Sequence, residues 1–466
     1  MPVSWKFEEP WQRGKPMDAL PKGSWWTLYS EPELDSYQQA AIANSPTLAQ
    51  AASRLLQARA NLAASGAARY PQVSAGTRVQ RFQISANRPL TNYNVNNFST
   101  IQDDYTLSLT ASYEVDLAGR VRNLVAGAAA SAEQAQSDLE NVRLLLAADI
   151  ATAYFNARST DVELDVLSRS IDLQRRALDF VQARHDLGAV SGLDVAQQQA
   201  LLESTLTQVD VLRKQRSQYE HALATLTGTP APAFTLPVDA RVMAPPAVPV
   251  GVPSDVLQRR PDVASAQRAL AAANAQIGVA RAAFFPSIIL GPTVGYDSRI
   301  LSAVIDGPSL LWSLGVSATQ VLFDGGRIRA NVDFASAGYE NAVATYRRTV
   351  LVAMQEVEDG ITGLSALDRA YAQSQRSVDA ARRVLDMATS RYEGGASTFL
   401  DVINAQQALL SAERQSAQLV GQRLVTSVGL VKALGGGWTQ DSLASNAADT
   451  GHAVGSPAEG TASGTP

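Results

Sequence analysis

The chain repeats one plan twice, and this internal duplication constrains its fold more than any other feature. A segment of 25 positions between Pro46 and Pro71 returns between Pro261 and Pro286, 215 positions later. Three further matches lie 207 positions apart: Gly119-Arg120 with Gly326-Arg327, Leu193-Asp194-Val195 with Leu400-Asp401-Val402, and Gly228 with Gly435. The eight-residue difference between the offsets is assigned to a predicted loop at 86–102 of the first copy. Offsets that otherwise stay constant indicate two copies of one structural unit.

Each copy has the same predicted order of elements. A first helix ends at a proline, two strands follow, and a very long helix then leads through a glycine-containing turn into a returning helix. The predicted plan consists of an N-terminal equatorial segment (1–45), a first repeat (46–228) with its hairpin at 71–117, a proline-rich linker (229–253), a second repeat (254–435) with its hairpin at 286–324, and a disordered tail (436–466).

Two of the predicted strands alternate between apolar and polar side chains. Every second residue is apolar from Tyr105 to Val115 and again from Leu310 to Ala318. Strands of this length can cross a bilayer when tilted, which takes ~9–11 residues. Four strands cannot close a membrane β-barrel, which needs about eight, whereas three chains would supply twelve. A soluble sheet with one solvated face is the alternative that the strands alone leave open.

The two long helices, predicted at 120–187 and 327–393, far exceed the usual helix length. Neither contains proline, and each would measure roughly 100 Å at ~1.5 Å per residue. The two shorter helices of a copy nearly match this length when laid end to end, so each copy predicts one long helix against two short ones. Three duplicated chains would then form an α-helical barrel of twelve staves; a solid coiled-coil rod is the alternative.

Composition argues against several classes of function. The 466 residues include no cysteine and three scattered histidines, so we expect no disulfide and no metal site. The net charge of −5 argues against a nucleic-acid partner. The sequence has no phosphate-binding glycine loop and no triad pattern, so we expect neither an enzyme nor a cofactor. It has no apolar run of the ~18–20 residues that a membrane helix needs, and no visible secretory signal, so we expect that a native export signal has been removed.

A set of short motifs recurs in an order and spacing typical of one family. These motifs are Trp25-Trp26, Leu34, Asn44, Ala58-Arg59-Ala60, Tyr70-Pro71, Asp324-Gly325-Gly326-Arg327, Arg391-Tyr392-x-x-Gly395 and Leu400-Asp401-Val402. Together with the duplicated plan they resemble the TolC-like outer-membrane efflux family, in particular its NodT-type, OprM-like lipoproteins of RND efflux systems. The resemblance covers about residues 25–436.

The resemblance implies an assembly and a task. The expected assembly is a homotrimer with a twelve-strand β-barrel in the outer membrane of a Gram-negative bacterium and a twelve-stave α-barrel in the periplasm. Its task would be that of the exit duct of a tripartite pump, which exports drugs or other small molecules with a periplasmic adaptor (membrane fusion) protein and an inner-membrane RND-type pump. Lipoprotein members carry a lipidated cysteine, so we expect that the native start is missing here. A duct for type I protein secretion and a soluble coiled-coil scaffold remain the alternatives.

The resemblance places the functional residues at the two helical turns, which would form the periplasmic tip. In relatives this tip closes like an iris, and the gate or lumen residues carried over are Leu193, Asp194, Leu400, Asp401 and Asn404. The family's acidic pair, spaced Asp-x-x-Asp, falls on Asp401 and Asn404, so one acid is replaced by an amide. Ser397 stands where some relatives have an arginine that locks the gate.

The expected adaptor-contact tip comprises Arg184, Gly188, Gly192, Arg391, Gly394 and Gly395. The four glycines are expected to allow the tight turns. Local roles remain open for the charged residues. Asp194 and Asp401 also suit a helix N-cap or a first-turn acid, and the two arginines suit the last turn of a helix.

Overall fold

A computed structural model describes residues 24–88, 100–246 and 260–436. After a 3₁₀ turn at Trp25–Tyr29, the main elements of these residues are α1 (Pro32–Asn44), α2 (Pro46–Ala67), β1 (Gln72–Ile84), β2 (Thr100–Val115), α3 (Arg120–Asp186), α4 (Gly192–Leu226), α5 (Pro261–Ala282), β3 (Ser287–Ser298), β4 (Leu310–Thr319), α6 (Arg327–Glu393) and α7 (Phe399–Ala433). In these ranges no helix is apolar over a membrane-spanning length. The tail beyond Gly436, predicted to be disordered, lies outside the described residues.

The predicted fold class, a mainly helical chain built as two copies, is confirmed. The long helices α3 and α6 have 67 residues each, and the returning helices α4 and α7 have 35 each. The first helices of the two copies, α2 and α5, both have 22 residues and begin with a proline. Proline suits this position because its fixed φ matches the helix and its missing N–H has no partner there.

The described residues divide between two compact units. One, the helical unit, takes residues up to Ser53, Gln136–Ser265 and the chain from Arg347 onward; the other, the sheet unit, takes Arg54–Ala135 and Ala266–Tyr346. Both units draw on both copies of the repeat, because the two hairpins pair with each other and the helical ends of the two copies pack together.

The four strands form one antiparallel sheet in the order β1-β2-β3-β4. Its register places apolar side chains of all four strands in one row, where Ala75 pairs with Leu109, Leu109 with Val294, and Val294 with Trp312. The next row, Ser74, Thr110, Thr293 and Ser313, is entirely hydroxylic. The alternation predicted from the sequence therefore produces a sheet with one apolar and one polar face.

In the helical unit, the N-terminal turn packs into the core. The Tyr29 ring lies 4.8 Å from the Phe155 ring of α3, and its hydroxyl is 2.7 Å from the Ser427 Oγ of α7. Trp25 and Trp26 are each only 7% exposed. The turn thus connects helices of both copies.

A buried ion network holds the segment between the two copies, which follows α4, against the helical core. The Arg158 side chain is 1% exposed, and its guanidinium contacts Asp161 at 3.2 Å as well as Glu33 and the Pro237 carbonyl. Arg216 pairs with the same Asp161 at 2.8 Å. Buried charges need such compensation, since an unpaired one is strongly destabilising. The burial that surrounds this network also raises the pKa of the neighbouring Tyr154 phenol to about 12.

The segment after α4 was predicted to lack regular structure. It contains one 3₁₀ turn at Ala231–Ala233 and no other helix or strand up to residue 246. Arg216 donates a hydrogen bond of 2.5 Å to the Leu236 carbonyl, and the Asp239 backbone N–H donates one of 3.1 Å to Asp161. The segment is therefore held against α3 and α4 by polar contacts, which its proline content alone did not predict.

Candidate functional site

The first helical turn joins α3 to α4, and the second joins α6 to α7. Both turns end their long helix in the same way. Gly188 and Gly395 have positive φ values of 71° and 74°. In the first turn, the Ala189 N–H donates to the Arg184 carbonyl at 2.9 Å, and the Gly188 N–H donates to the His185 carbonyl at 2.7 Å. The second turn repeats both bonds at the equivalent positions. This pattern is a Schellman C-cap, which favours glycine at the left-handed position.

The other two glycines do not have the conformation for which glycine was expected. Gly192 is the first residue of α4, and Gly394 donates a helix-type bond of 3.0 Å to the Ser390 carbonyl. Neither has a positive φ. The left-handed cap therefore uses one glycine in each turn, Gly188 or Gly395, and gives no conformational reason for glycine at 192 or 394.

The returning helices begin at hydroxylic N-caps. Ser191 Oγ accepts a bond of 3.1 Å from the Leu193 N–H at the start of α4. Thr398 is the N-cap of α7, and Asp401 Oδ2 accepts bonds of 3.3 Å from its N–H and its hydroxyl. Asp194 and Asp401 are thus first-turn acids and not N-caps, and both positions suit the positive end of a helix.

The predicted gate residues of the second copy share one exposed stripe. Leu400, Asp401 and Asn404 are all exposed at the start of α7. The intervening Val402 and Ile403 are 4% and 5% exposed and belong to the apolar core of the tip. The helical period therefore places the two predicted polar gate residues one turn apart on the same face. In the first copy, Leu193 is 62% exposed and Asp194 is half-buried.

The two arginines of the expected tip differ in their surroundings. The Arg184 guanidinium lies 5.1 Å from the ring centre of Tyr392 and 5.8 Å from that of Phe180. Its counterpart Arg391 is exposed, and its side chain has no hydrogen bond or ion pair within the described ranges. The structure thus gives Arg184 a local packing role and leaves Arg391 free at the surface.

An aromatic cluster at the tip was missed by the sequence reasoning. The Tyr392 and Phe399 rings lie 5.1 Å apart, and both side chains are buried, at 7% and 3% exposed. The duplicated positions in the first copy are His185 and Gly192, which are exposed. A comparison of the two copies, position by position, would have identified this difference, since aromatic residues replace small or polar ones only in the second turn.

Comparisons with known proteins agree with this architecture. The pattern of the outer membrane efflux protein family matches residues 37–229 and 252–436. The chain is 33% identical over 427 residues to the pyoverdine export outer membrane protein OpmQ of Pseudomonas aeruginosa, covering 91% of this chain and 89% of that protein. It is 32% identical to the toluene efflux pump outer membrane protein TtgF of Pseudomonas putida, covering 89% and 85%.

A solved structure has the same fold. The outer membrane protein VceC of Vibrio cholerae superposes with a TM-score of 0.83 at 26% identity, over 89% of this chain and 99% of that one. The chain belongs to the outer membrane efflux protein family. It is an outer-membrane efflux channel of a Gram-negative bacterium that extends into the periplasm.

Proposed function

We propose that this protein is the exit duct of a tripartite efflux pump that exports small organic molecules. The relatives named for pyoverdine export and toluene efflux support a small-molecule cargo. The proposed assembly is a homotrimer, in which each chain contributes its four strands and its helical staves. Its proposed partners are a periplasmic adaptor protein and an inner-membrane pump of the RND type.

The gate is proposed to lie at the second helical turn. The observation that carries this proposal is the exposed stripe of Leu400, Asp401 and Asn404 beside a tightly packed core. Around a threefold axis, three Asp401 carboxylates would form an acidic ring that attracts cations and opposes anions. Asn404, one turn further along, would add an uncharged polar ring. Leu193 and Asp194 of the first turn would complete the constriction.

The contact with the adaptor is proposed to use the turns themselves. Gly188, Gly192, Gly394 and Gly395 are all exposed, so they leave backbone accessible to a partner. Arg391 offers a free guanidinium next to them. Arg184 would act in this contact indirectly, since it supports the aromatic core of the tip by stacking on Tyr392.

Ion selectivity in a planar bilayer tests the gate. Asp401→Asn removes the charge and keeps an oxygen that can accept the Thr398 bonds, so the cation preference should fall while the helix start is retained. Asp401→Ala should lower the preference as well and widen the conductance. Asn404→Asp should act in the opposite direction, because it adds a second acidic ring.

Asp379→Asn is the matched control, since Asp379 is exposed on α6 away from the turn. It should leave the selectivity of the channel unchanged. Equal selectivity of the wild-type channel, Asp401→Asn and Asn404→Asp would reject the gate assignment.

A further inference from the structure

A cavity of about 350 Å³ lies within the sheet unit, where the strands meet the helices. It is lined by the ends of β2 and β4, the start of β3, and the ends of α3, α5 and α6 that adjoin them. Glu114, Ser287 and Thr319 line its sheet end, and the register places all three on the polar face. Its volume is at the small end of the range for ligand pockets, ~300–1,000 Å³.

The two carboxylates that line this cavity, Glu114 and Asp116, already have partners. Glu114 binds Arg120 through both carboxylate oxygens, at 2.7 and 2.5 Å. Asp116 accepts bonds of 3.0 and 2.8 Å from the backbone N–H groups of Val121 and Arg122. Both carboxylates that line the cavity are therefore fully engaged.

Arg327 is the remaining charged group of the lining. It is exposed, and its side chain makes no ion pair or hydrogen bond with any residue in the described ranges. The nearby Asp324 uses its two oxygens to accept bonds of 2.9 and 2.8 Å from the Gly326 and Ile328 N–H groups. One guanidinium without a hydrogen bond or ion pair in the described ranges thus lines the cavity, with Asp324 as the opposite charge nearby.

Apart from Asn331, the rest of the lining is apolar. Ala282 and Ile328 are buried, at 6% and 9% exposed, and Phe285 and Val321 are 60% and 43% exposed at the cavity. A guanidinium beside apolar walls suits an anionic group on a compact hydrophobic body, because arginine forms strong charge-assisted bonds with carboxylate, sulfonate or phosphate.

From this arrangement we infer that the cavity is a binding site for small organic anions on their way out, with Arg327 holding the anionic group. The inference rests on the proposed duct function and identifies one chemical class of its cargo. The position of Glu114, Ser287 and Thr319 on the polar face, which the trimer would turn toward its interior, favours an exported solute over a membrane lipid.

Calorimetric titration of the purified full chain in detergent tests the site, with empty micelles as baseline. The probe is naphthalene-2-sulfonate, and naphthalene-2-sulfonamide serves as its uncharged analogue. Arg327→Gln should weaken binding of the sulfonate about tenfold, in line with one lost charge-assisted bond, and leave the sulfonamide unaffected. Arg327→Lys should retain most of the sulfonate binding.

Arg329→Gln is the matched control, since Arg329 is exposed on the same helix but does not line the cavity. Equal weakening by Arg327→Gln and Arg329→Gln, or no saturable binding above empty micelles, would overturn the site. Displacement of the probe by phosphatidylglycerol in nanodiscs, dependent on Arg327, would reassign the cavity to lipid and overturn the cargo inference.

Failure of the anion site and failure of the proposed duct function would give different results. Restored efflux in cells without Arg327-dependent binding would reject the site alone. Arg327-dependent binding by a chain that fails to restore efflux with its partners would reject the duct function and the cargo inference, and would leave only an anion site.

Discussion

The two helical turns share a C-cap but differ in what holds them in place. Each ends its long helix with a left-handed glycine and begins its returning helix at a hydroxylic N-cap. Beyond these caps the copies diverge. The second turn is anchored by Phe399 and Tyr392 in an apolar core, whereas Gly192 and His185 of the first turn are exposed.

This difference shows how a duplicated plan can produce unequal halves. The caps are set by backbone requirements that both copies share, so they persist in both. The anchoring depends on side chains, which are free to change once the backbone is fixed. The second turn therefore combines the predicted gate stripe with a buried aromatic base. The first turn contributes only half-buried contacts to that base, from Val190 and from Arg184, which stacks on Tyr392.

The largest expected effect comes from the anchor of the second turn. Phe399→Ala should destabilise the start of α7 by about 3–5 kcal/mol, the usual cost of truncating a buried phenylalanine. Hydrogen exchange followed by mass spectrometry should show lost protection in 395–405 and little change in 188–198. Leu400→Ala, at an exposed neighbour, should leave both segments protected. Equal loss in the two turns would show that they form one cooperative unit and that the contrast between them is wrong.

The glycine C-cap that ends both long helices can be tested by replacing three glycines with alanine. Gly188→Ala and Gly395→Ala should each cost about 1–2 kcal/mol, because a side chain is strained in the left-handed region, and at both positions a Cβ would meet no atom within 4 Å. Gly192→Ala should be neutral or slightly stabilising, since Gly192 has an ordinary helical conformation. Exchange rates at the ends of α3 and α6 would measure these effects. A cost at Gly192 equal to that at Gly188 would contradict the assignment of one cap glycine per turn.

The sequence was sufficient for features that local chemistry controls. Proline positions, helical and strand periodicity and the repeat offset predicted the order of elements and the two faces of the sheet. Which glycine takes the left-handed position could not be predicted, because it depends on where the next helix starts. In the first copy that helix begins at Gly192, after the Ser191 cap, so Gly192 is helical and Gly188 alone is left-handed in that turn.

Features that need tertiary contact could not be predicted from the sequence. Arg184 and Tyr392 lie far apart in the chain and meet only because the ends of α3 and α6 come together. The same holds for Arg158, whose partners come from α1, α3 and the inter-copy segment. For the predicted gate, the family resemblance supplied Asp401 and Asn404, and the structure adds that both lie on one exposed face of α7; their role remains a prediction.

A smaller effect is expected where the two turns touch. Arg184→Gln should lower the stability of the tip by about 0.5–1 kcal/mol, the usual value of an accessible cation–π contact. Arg391→Gln is its natural control and should leave the stability unchanged, since the Arg391 side chain has no partner in the described ranges. Exchange protection of 387–399 distinguishes the two variants. Equal effects of both changes would remove the proposed support of the first turn by the second.

The smallest expected effect concerns the starts of the long helices α3 and α6, where the aspartates that accept backbone hydrogen bonds have different side-chain partners in the two copies. Burial acts to raise the pKa of Asp116 at α3, but the backbone N–H bonds and the Arg122 side chain together lower it. Backbone N–H bonds, first from Ile328, lower the pKa of Asp324 at α6. A lowered folded-state pKa means that the stabilisation is present above the ordinary aspartate pKa of ~3.9 and is lost as the pH falls through the folded value. The melting temperature should therefore fall in acid less steeply for Asp116→Asn and Asp324→Asn, which cap without titrating. Asp116→Asn should show the larger difference, because Asp116 also pairs with Arg122 at 3.4 Å. An equal difference would mean that the backbone bonds alone determine the acid sensitivity of both caps, and a reversed order would contradict the contribution of the Arg122 pair.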